Sequence, residues 1–355
     1  MGVKKWLTLS LASLFILTAA GCGGNNSGGN AGGAQGTPAS ASPEASASAE
    51  SSPKAATPVK VALDWTPNTN HTGLYVAKEL GYYAEEGLDV EIVQPGAAGA
   101  DTMVTSGEAA FGVGAQDSLT LARIQGVPLV SIAAIIQHNT SGFAAPVDRG
   151  IKSPKNFEGK TYGGWGSPVE EASMKAIMDP VGGDVKKVKQ VTIGEADYFT
   201  AVKRDIDFAW IFYAWTGIEA KLRGEPLDML YLKDYAPQLD YYTPVLTTSE
   251  KEIAENPEVV KAFLKATSKG YQYAIDHPKE AADILIKAVP DLDPKLVQAS
   301  QEWLSPKYKD DAARWGEQKA SVWKDYADWM YGLKLLDKPL EADKAFTNNF
   351  LPDGQ

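Results

Sequence analysis

The sequence predicts an α/β protein of two lobes, each built on a mostly parallel sheet, with a ligand cleft between them. Three observations carry this expectation. From residue 59 onward short apolar runs alternate with helical stretches, the pattern of right-handed βαβ units. The alternation comes as two series, one ending near residue 136 and the other beginning near 161. Two irregular segments, 138–150 and 237–245, separate the series and bring the chain back. Two lobes joined by two crossings leave a cleft, a common place for a ligand.

In the first lobe strands are expected at 59–63, 89–93, 110–113 and 129–136, with helices at 72–80, 101–106 and 118–124. The second lobe reads as strands at 161–163, 188–192 and 208–212, with helices at 169–178, 198–204 and 216–223. A last strand at 246–248 returns the chain, and the remainder is helical. Asn256 before Pro257 marks one helix start, and Pro278 ends that helix. The first lobe is therefore assigned 59–142 and 245–355, and the second 143–244. Trp303, Trp315, Trp323 and Trp329 fall in the helical tail at packing intervals and are expected in its core.

Ahead of the lobes, Lys4 and Lys5 precede an apolar run and then Ala19, Ala20, Gly21 and Cys22. A basic region, an apolar stretch too short to span a membrane and small residues make a secretory leader, 1–21. A cysteine at this place resembles a bacterial lipobox, in which the thiol of Cys22 is lipidated. Residues 22–58 are rich in Gly, Ser, Ala, Asn and Pro and cannot bury enough apolar surface to order. They form a flexible tether of roughly 30 Å. The protein is thus expected as a monomer on the extracytoplasmic face of a Gram-positive cell membrane, held by lipid alone. Cys22 is the single cysteine, which excludes an internal disulfide and a multi-cysteine metal site. The net charge of −11 argues against nucleic acid as a ligand.

Ligands of open parallel sheets bind beyond the carboxyl ends of the strands. Four segments lie there. Asp64, Trp65, Asn68 and His71 follow the first strand, and "GVGAQDS" with Gln116 follows the third. "GGWGSP" holds Gly164, Trp165, Gly166 and Ser167, and "WIFYAWTGIE" holds Tyr213, Trp215 and Glu219. Gln137 and His138 end a further strand, and Tyr242 lies in the second crossing. Each has a packing alternative. Trp65 can cap the core, His71 suits a helix start better than a metal, and His138 can order the crossing. Asp117 stands where a dinucleotide loop needs its third glycine, so that motif is set aside.

No Ser-His-Asp motif, phosphate loop or His-rich metal spacing occurs, and neither an enzyme nor a cofactor is expected. Flat aromatics beside amides and carboxylates suit a small aromatic nitrogen heterocycle, its ring stacked and its edge read by hydrogen bonds. No Arg or Lys lies in the four segments, as a sulfonate or phosphate would want.

"LDWTPNTNHTGLYVAKELGYYAEEGLDVEI", "GVPLVSIAAIIQ", "GIKSPKNFEGKTYG" and "FLKATSKGYQYA" resemble the solute-binding lipoproteins of ABC importers for thiamine pyrimidine precursors. The resemblance implies a type II periplasmic-binding-protein fold, closure around the ligand, and permease and ATPase partners. It implies that Trp65, Pro67 and Asn68, with Asp64 beside them, contribute to a pyrimidine site, and that 164–167 is a contact region. Where such binders carry a glutamate beyond the fourth segment's strand, this chain has Gly217, with Glu219 two residues on. That departure keeps riboflavin, nitrate and sulfonate binders of the superfamily as alternatives. A fungal pyrimidine synthase of similar fold is the alternative of another class, but it uses a cysteine-rich segment that this chain lacks.

Overall fold

A computed structural model describes residues 55–353 except 97, 98 and 195. The expected leader, Cys22 and nearly all of the tether lie outside the described residues.

Two five-stranded sheets organise the chain. The first contains β1 (Thr57–Ala62), β2 (Leu88–Val93), β3 (Phe111–Gly114) and β4 (Leu129–Ala134). The second contains β5 (Ser141–Pro146), β6 (Thr161–Gly164), β7 (Lys189–Thr192), β8 (Phe208–Phe212) and β9 (Leu227–Tyr231). The chain then returns to the first sheet as β10 (Val245–Ser249). The strand orders are β2-β1-β3-β10-β4 and β7-β6-β8-β5-β9. The two sheets share one topology, in which β6 corresponds to β1 and β5 to β10. The pairs β1–β2, β1–β3, β6–β7 and β6–β8 are parallel. The strand delivered by each crossing, β5 or β10, is antiparallel to both neighbours because it enters from the other lobe.

Two strands were not expected. The segment taken as an irregular crossing contains β5, and it begins at Ser141, ahead of the boundary assigned at 143. Its burial is continuous from Ser141 to Ala145, so it shows no alternation, and its small residues read as loop. Gly142 is obligatory there, since a Cβ would stand 2.2 Å from the carbonyl oxygen of Leu230 on β9. Partial burial along β9 hides it in the same way.

The first sheet packs under the long helix Pro257–Asp276, with Phe111 stacked on Phe263 at 3.9 Å. Fully burying a phenylalanine stabilises by roughly 1.5–3 kcal/mol. In the second lobe Phe157 stacks on Phe208 at 4.2 Å. The C-terminal helix Ala320–Gly332 serves both lobes. Its Trp323 joins the core beside the first sheet, while Tyr326, Ala327 and Met330 join the core of the second. Of the tail tryptophans, Trp315 and Trp323 are buried and Trp303 and Trp329 only half-buried. Among the described residues no helix is long and apolar enough to cross a membrane.

Candidate ligand-binding site

The turn after β1 is braced from behind. Asn68 caps a short 3-10 turn, Thr69–His71, its Oδ1 accepting the Asn70 amide at 2.9 Å. His71 Nδ1 accepts the Asn68 amide at 3.2 Å, which leaves Nε2 to donate to Asp64 at 2.7 Å. The wholly buried His71 therefore orients a half-buried carboxylate, a role beyond the helix start expected of it. Tyr271 and Tyr308 donate to the carbonyls of Asn70 and Thr69. On this fixed turn Trp65 is 55% exposed.

The equivalent turn of the second lobe, after β6, is held by a residue not singled out in the sequence. Glu170 is buried and accepts from the Tyr162 hydroxyl at 2.5 Å and from the amides of Trp165, Gly166 and Ser167 at 3.1, 2.7 and 2.7 Å. Gly164 makes room, since a Cβ there would lie 2.0 Å from Glu170 Oε1. Gly166 adopts φ +90°, the left-handed side that favours glycine. Trp165 is presented 52% exposed, tilted against the half-buried Trp210 at 5.5 Å. A cavity of about 360 Å³ borders this turn, lined by Ser167, Glu170, Gln190 and Thr192 among others.

Four expected contacts are spent elsewhere. Gln116 is wholly buried; its Oε1 accepts the Tyr242 amide and its Nε2 donates to the Val322 carbonyl. Tyr242 is buried, and its hydroxyl accepts the Lys319 amide. Gln137 donates to the Glu317 carbonyl. These three fasten the C-terminal segment to the crossings. Glu219 pairs with Arg223 one turn along its helix. The fourth segment also departs from simple strand alternation, because a π-type turn, Tyr213–Gly217, precedes the helix Ile218–Arg223. It sends Trp215 into an apolar cluster with Ala282, Leu285 and Val297. Tyr213 stays half-buried between Tyr231 at 5.9 Å and Trp303 at 5.0 Å.

Asp101, which the sequence did not suggest, feels the charges of Asp117 and Asp64. Burial, and secondarily the charges of Asp117 and Asp64, push the Asp101 carboxyl up to about 6. Burial also raises Asp117. The first-lobe wall is therefore electronegative, and the three amides of the second-lobe turn are already taken by Glu170. Among the described residues no three His, Cys, Asp or Glu side chains could hold a metal ion.

Two α/β lobes on sheets of one topology, with presenting turns at equivalent strand ends, define the periplasmic-binding-protein fold. The alkanesulfonate-binding protein SsuA from Xanthomonas axonopodis pv. citri, bound to MOPS, shares this fold. Its TM-score is 0.64 at 14% identity, over 82% of this chain and 98% of that one. More narrowly, the chain belongs to the family described as NMT1/THI5 like, which matches residues 68–281. It is 31% identical to a formylaminopyrimidine-binding protein of Halalkalibacterium halodurans, over 82% of this chain and 89% of the relative. It is 29% identical to a 4-amino-5-hydroxymethyl-2-methylpyrimidine phosphate synthase of Legionella pneumophila, over 83% and 92%.

Proposed function

We propose that the protein is the extracytoplasmic receptor of an ABC importer, capturing an aminopyrimidine precursor of thiamine. One observation carries this. Among the described residues the two most exposed tryptophans, Trp65 and Trp165, stand on hydrogen-bonded turns at equivalent strand ends, one per lobe. Closure about the crossings would bring them onto the faces of a planar ring. Asp64, oriented by His71, would lie at its edge, with Tyr213 as a further aromatic wall; Asn68 serves by fixing the turn, its Oδ1 accepting the Asn70 amide and its Nδ2 donating to the Thr66 carbonyl. The formylaminopyrimidine-binding relative supports the same ligand class. Cys22 would carry the lipid, 23–58 the tether, and a permease with its ATPase would take the closed form.

Isothermal titration of the mature protein against formylaminopyrimidine, hydroxymethylpyrimidine, riboflavin, taurine and nitrate tests the proposal. A pyrimidine is expected to bind, and Trp65→Ala and Trp165→Ala each to weaken it by roughly 0.5–1.5 kcal/mol beyond lost contact area. Binding of taurine or nitrate alone would sink it. The synthase relative motivates a second reading as an enzyme. Incubation with pyridoxal phosphate and iron, followed by assay for pyrimidine product, decides that, and no product is expected.

A further inference from the structure

Phe212 stands outside the site described above, and the core does not use its ring. It is the last extended residue of β8 (φ −96°, ψ 117°) before the π-type turn. It is 42% exposed and belongs to none of the apolar clusters of the described residues. Strand alternation places it on the same face as Phe208 and Trp210. Those two rings enter the second lobe's core, Phe208 on Phe157 and Trp210 against Phe143 at 5.4 Å. Phe212 carries the row one step further, past the end of that core.

Its neighbours on both strands are too small to cover it. On β5 its partner is Ser141, wholly buried, with the hydroxyl turned to Asn139 Oδ1. On the other side β6 pairs with β8 in the parallel register Tyr162↔Phe208 and Gly163↔Ala209. The same register sets Trp210 level with Gly164, the last residue of β6. Phe212 therefore lies at the level of the turn that follows β6. That turn offers Gly166, without a side chain, and Ser167, whose Oγ is turned to the Val169 amide. Its one large side chain is Trp165, tilted against Trp210 at 5.5 Å. A single exposed apolar residue is ordinary, but Phe212 continues the aromatic surface that already presents Trp165. The two exposed rings and Trp210 between them form one apolar step at the carboxyl ends of β6 and β8, where ligands of such sheets bind.

We propose that Phe212 is a ligand-contacting residue, its ring meeting an apolar edge of the heterocycle held on Trp165 while Asp64 takes a polar edge. The class this selects is a heterocycle with one edge of C–H or methyl groups. A ring with polar groups on every edge is disfavoured, because a group buried against Phe212 is left unpaired. The assignment rests on the receptor function proposed above.

The test is calorimetric titration of the mature protein with 4-amino-5-hydroxymethyl-2-methylpyrimidine at several temperatures, with a melting curve for each variant. Burial of apolar surface on binding gives a negative heat-capacity change. Phe212→Ala is expected to bind about five- to thirtyfold more weakly, with a less negative heat-capacity change. Its melting temperature is expected to stay close to that of the wild type, since an exposed side chain is lost. Phe212→Leu keeps apolar bulk and is expected to recover most of both binding quantities. Leu222→Ala is the control, since Leu222 is 49% exposed but lies near the far end of the helix Ile218–Arg223; its binding is expected to match wild type. Phe212→Ala with wild-type affinity and heat-capacity change overturns the assignment and leaves the receptor function standing. So does a weaker affinity with an unchanged heat-capacity change, or an equal loss in Leu222→Ala. A wild type that binds no pyrimidine overturns both.

Discussion

Asp101 keeps its charge against its surroundings, and that makes the fold's stability depend on pH. Its carboxyl is pushed up to about 6 by burial, above the ordinary 3.9 or so of an unfolded chain. A raised carboxyl binds protons more tightly in the folded state. Folding stability therefore falls as pH rises from about 4 through 6, and the penalty is complete at pH 7. Asp101→Asn removes it. The variant is expected to be more stable than wild type at pH 7 by up to about 3 kcal/mol, with the gain vanishing near pH 4. Urea unfolding at the two pH values checks this, and an equal difference at both would contradict it. Glu170 is the opposite case. It too is buried, but four donors surround its two oxygens, so its carboxylate is compensated and fixes the turn that presents Trp165.

At the level of elements, the crossings meet in a charged clamp. His138 on the first crossing pairs through Nδ1 with Asp240 on the second at 2.6 Å, and through Nε2 with Asp311 of the C-terminal segment at 3.3 Å. Asp240 also accepts the Asn139 amide, and Lys319 stands 3.6 Å from Asp311. The hydrogen bond and charge of Asp240 raise the imidazole, with Asp311 adding to them. A raised histidine stabilises fully below its unfolded value, about 6.5, and the contribution is lost as pH climbs through the folded value. His138→Gln is thus expected to cost stability at pH 5.5 and little at pH 8.5, as read by melting temperature. An equal cost at both would remove the charge from the clamp. That His138 can order the crossing was legible from its place in the sequence, as were the parallel strands, whose apolar runs and turns are local signals. β5 and β9 were not, since continuous or partial burial erases alternation. Trp65 and Trp165 were legible as large aromatics on turns that otherwise favour small residues. Asp101 and Glu170 were hidden, because an acidic residue in a helix's first turn reads as an ordinary dipole partner. What sets Asp101 and Glu170 apart is an oxygen without a partner in the one and four donors around the other, which only tertiary packing creates. Trp215 was misplaced for a related reason, since a π-type turn changes the phase of everything after Phe212.

Across the whole molecule the lobes have a further connection besides the two crossings and the helix Ala320–Gly332, and it bears on how far they can open. Ser300, wholly buried on the helix Pro294–Leu304, donates to the carbonyl of Ala214 in the second lobe's π-type turn. Its one proton being used there, it accepts from the Thr69 hydroxyl at 2.6 Å. A single hydroxyl thus links the turn that carries Trp65 to the turn that follows β8. Trp215 reinforces the link by inserting among the first lobe's C-terminal helices. A tie at this place would restrain opening on its own side of the cleft. Ser300→Ala leaves the Ala214 carbonyl and the Thr69 hydroxyl without their partner, each worth about 1–3 kcal/mol. If the link restrains opening, the variant's radius of gyration without ligand will exceed that of the wild type, and formylaminopyrimidine will shrink it further than it shrinks wild type. Its affinity will be lower, because part of the binding free energy goes into closing a wider cleft. Small-angle scattering with and without ligand measures both shapes. Matching profiles for wild type and variant, in both states, would reduce the Ser300 contact to local packing and leave the two crossings and the helix Ala320–Gly332 as the connection between the lobes.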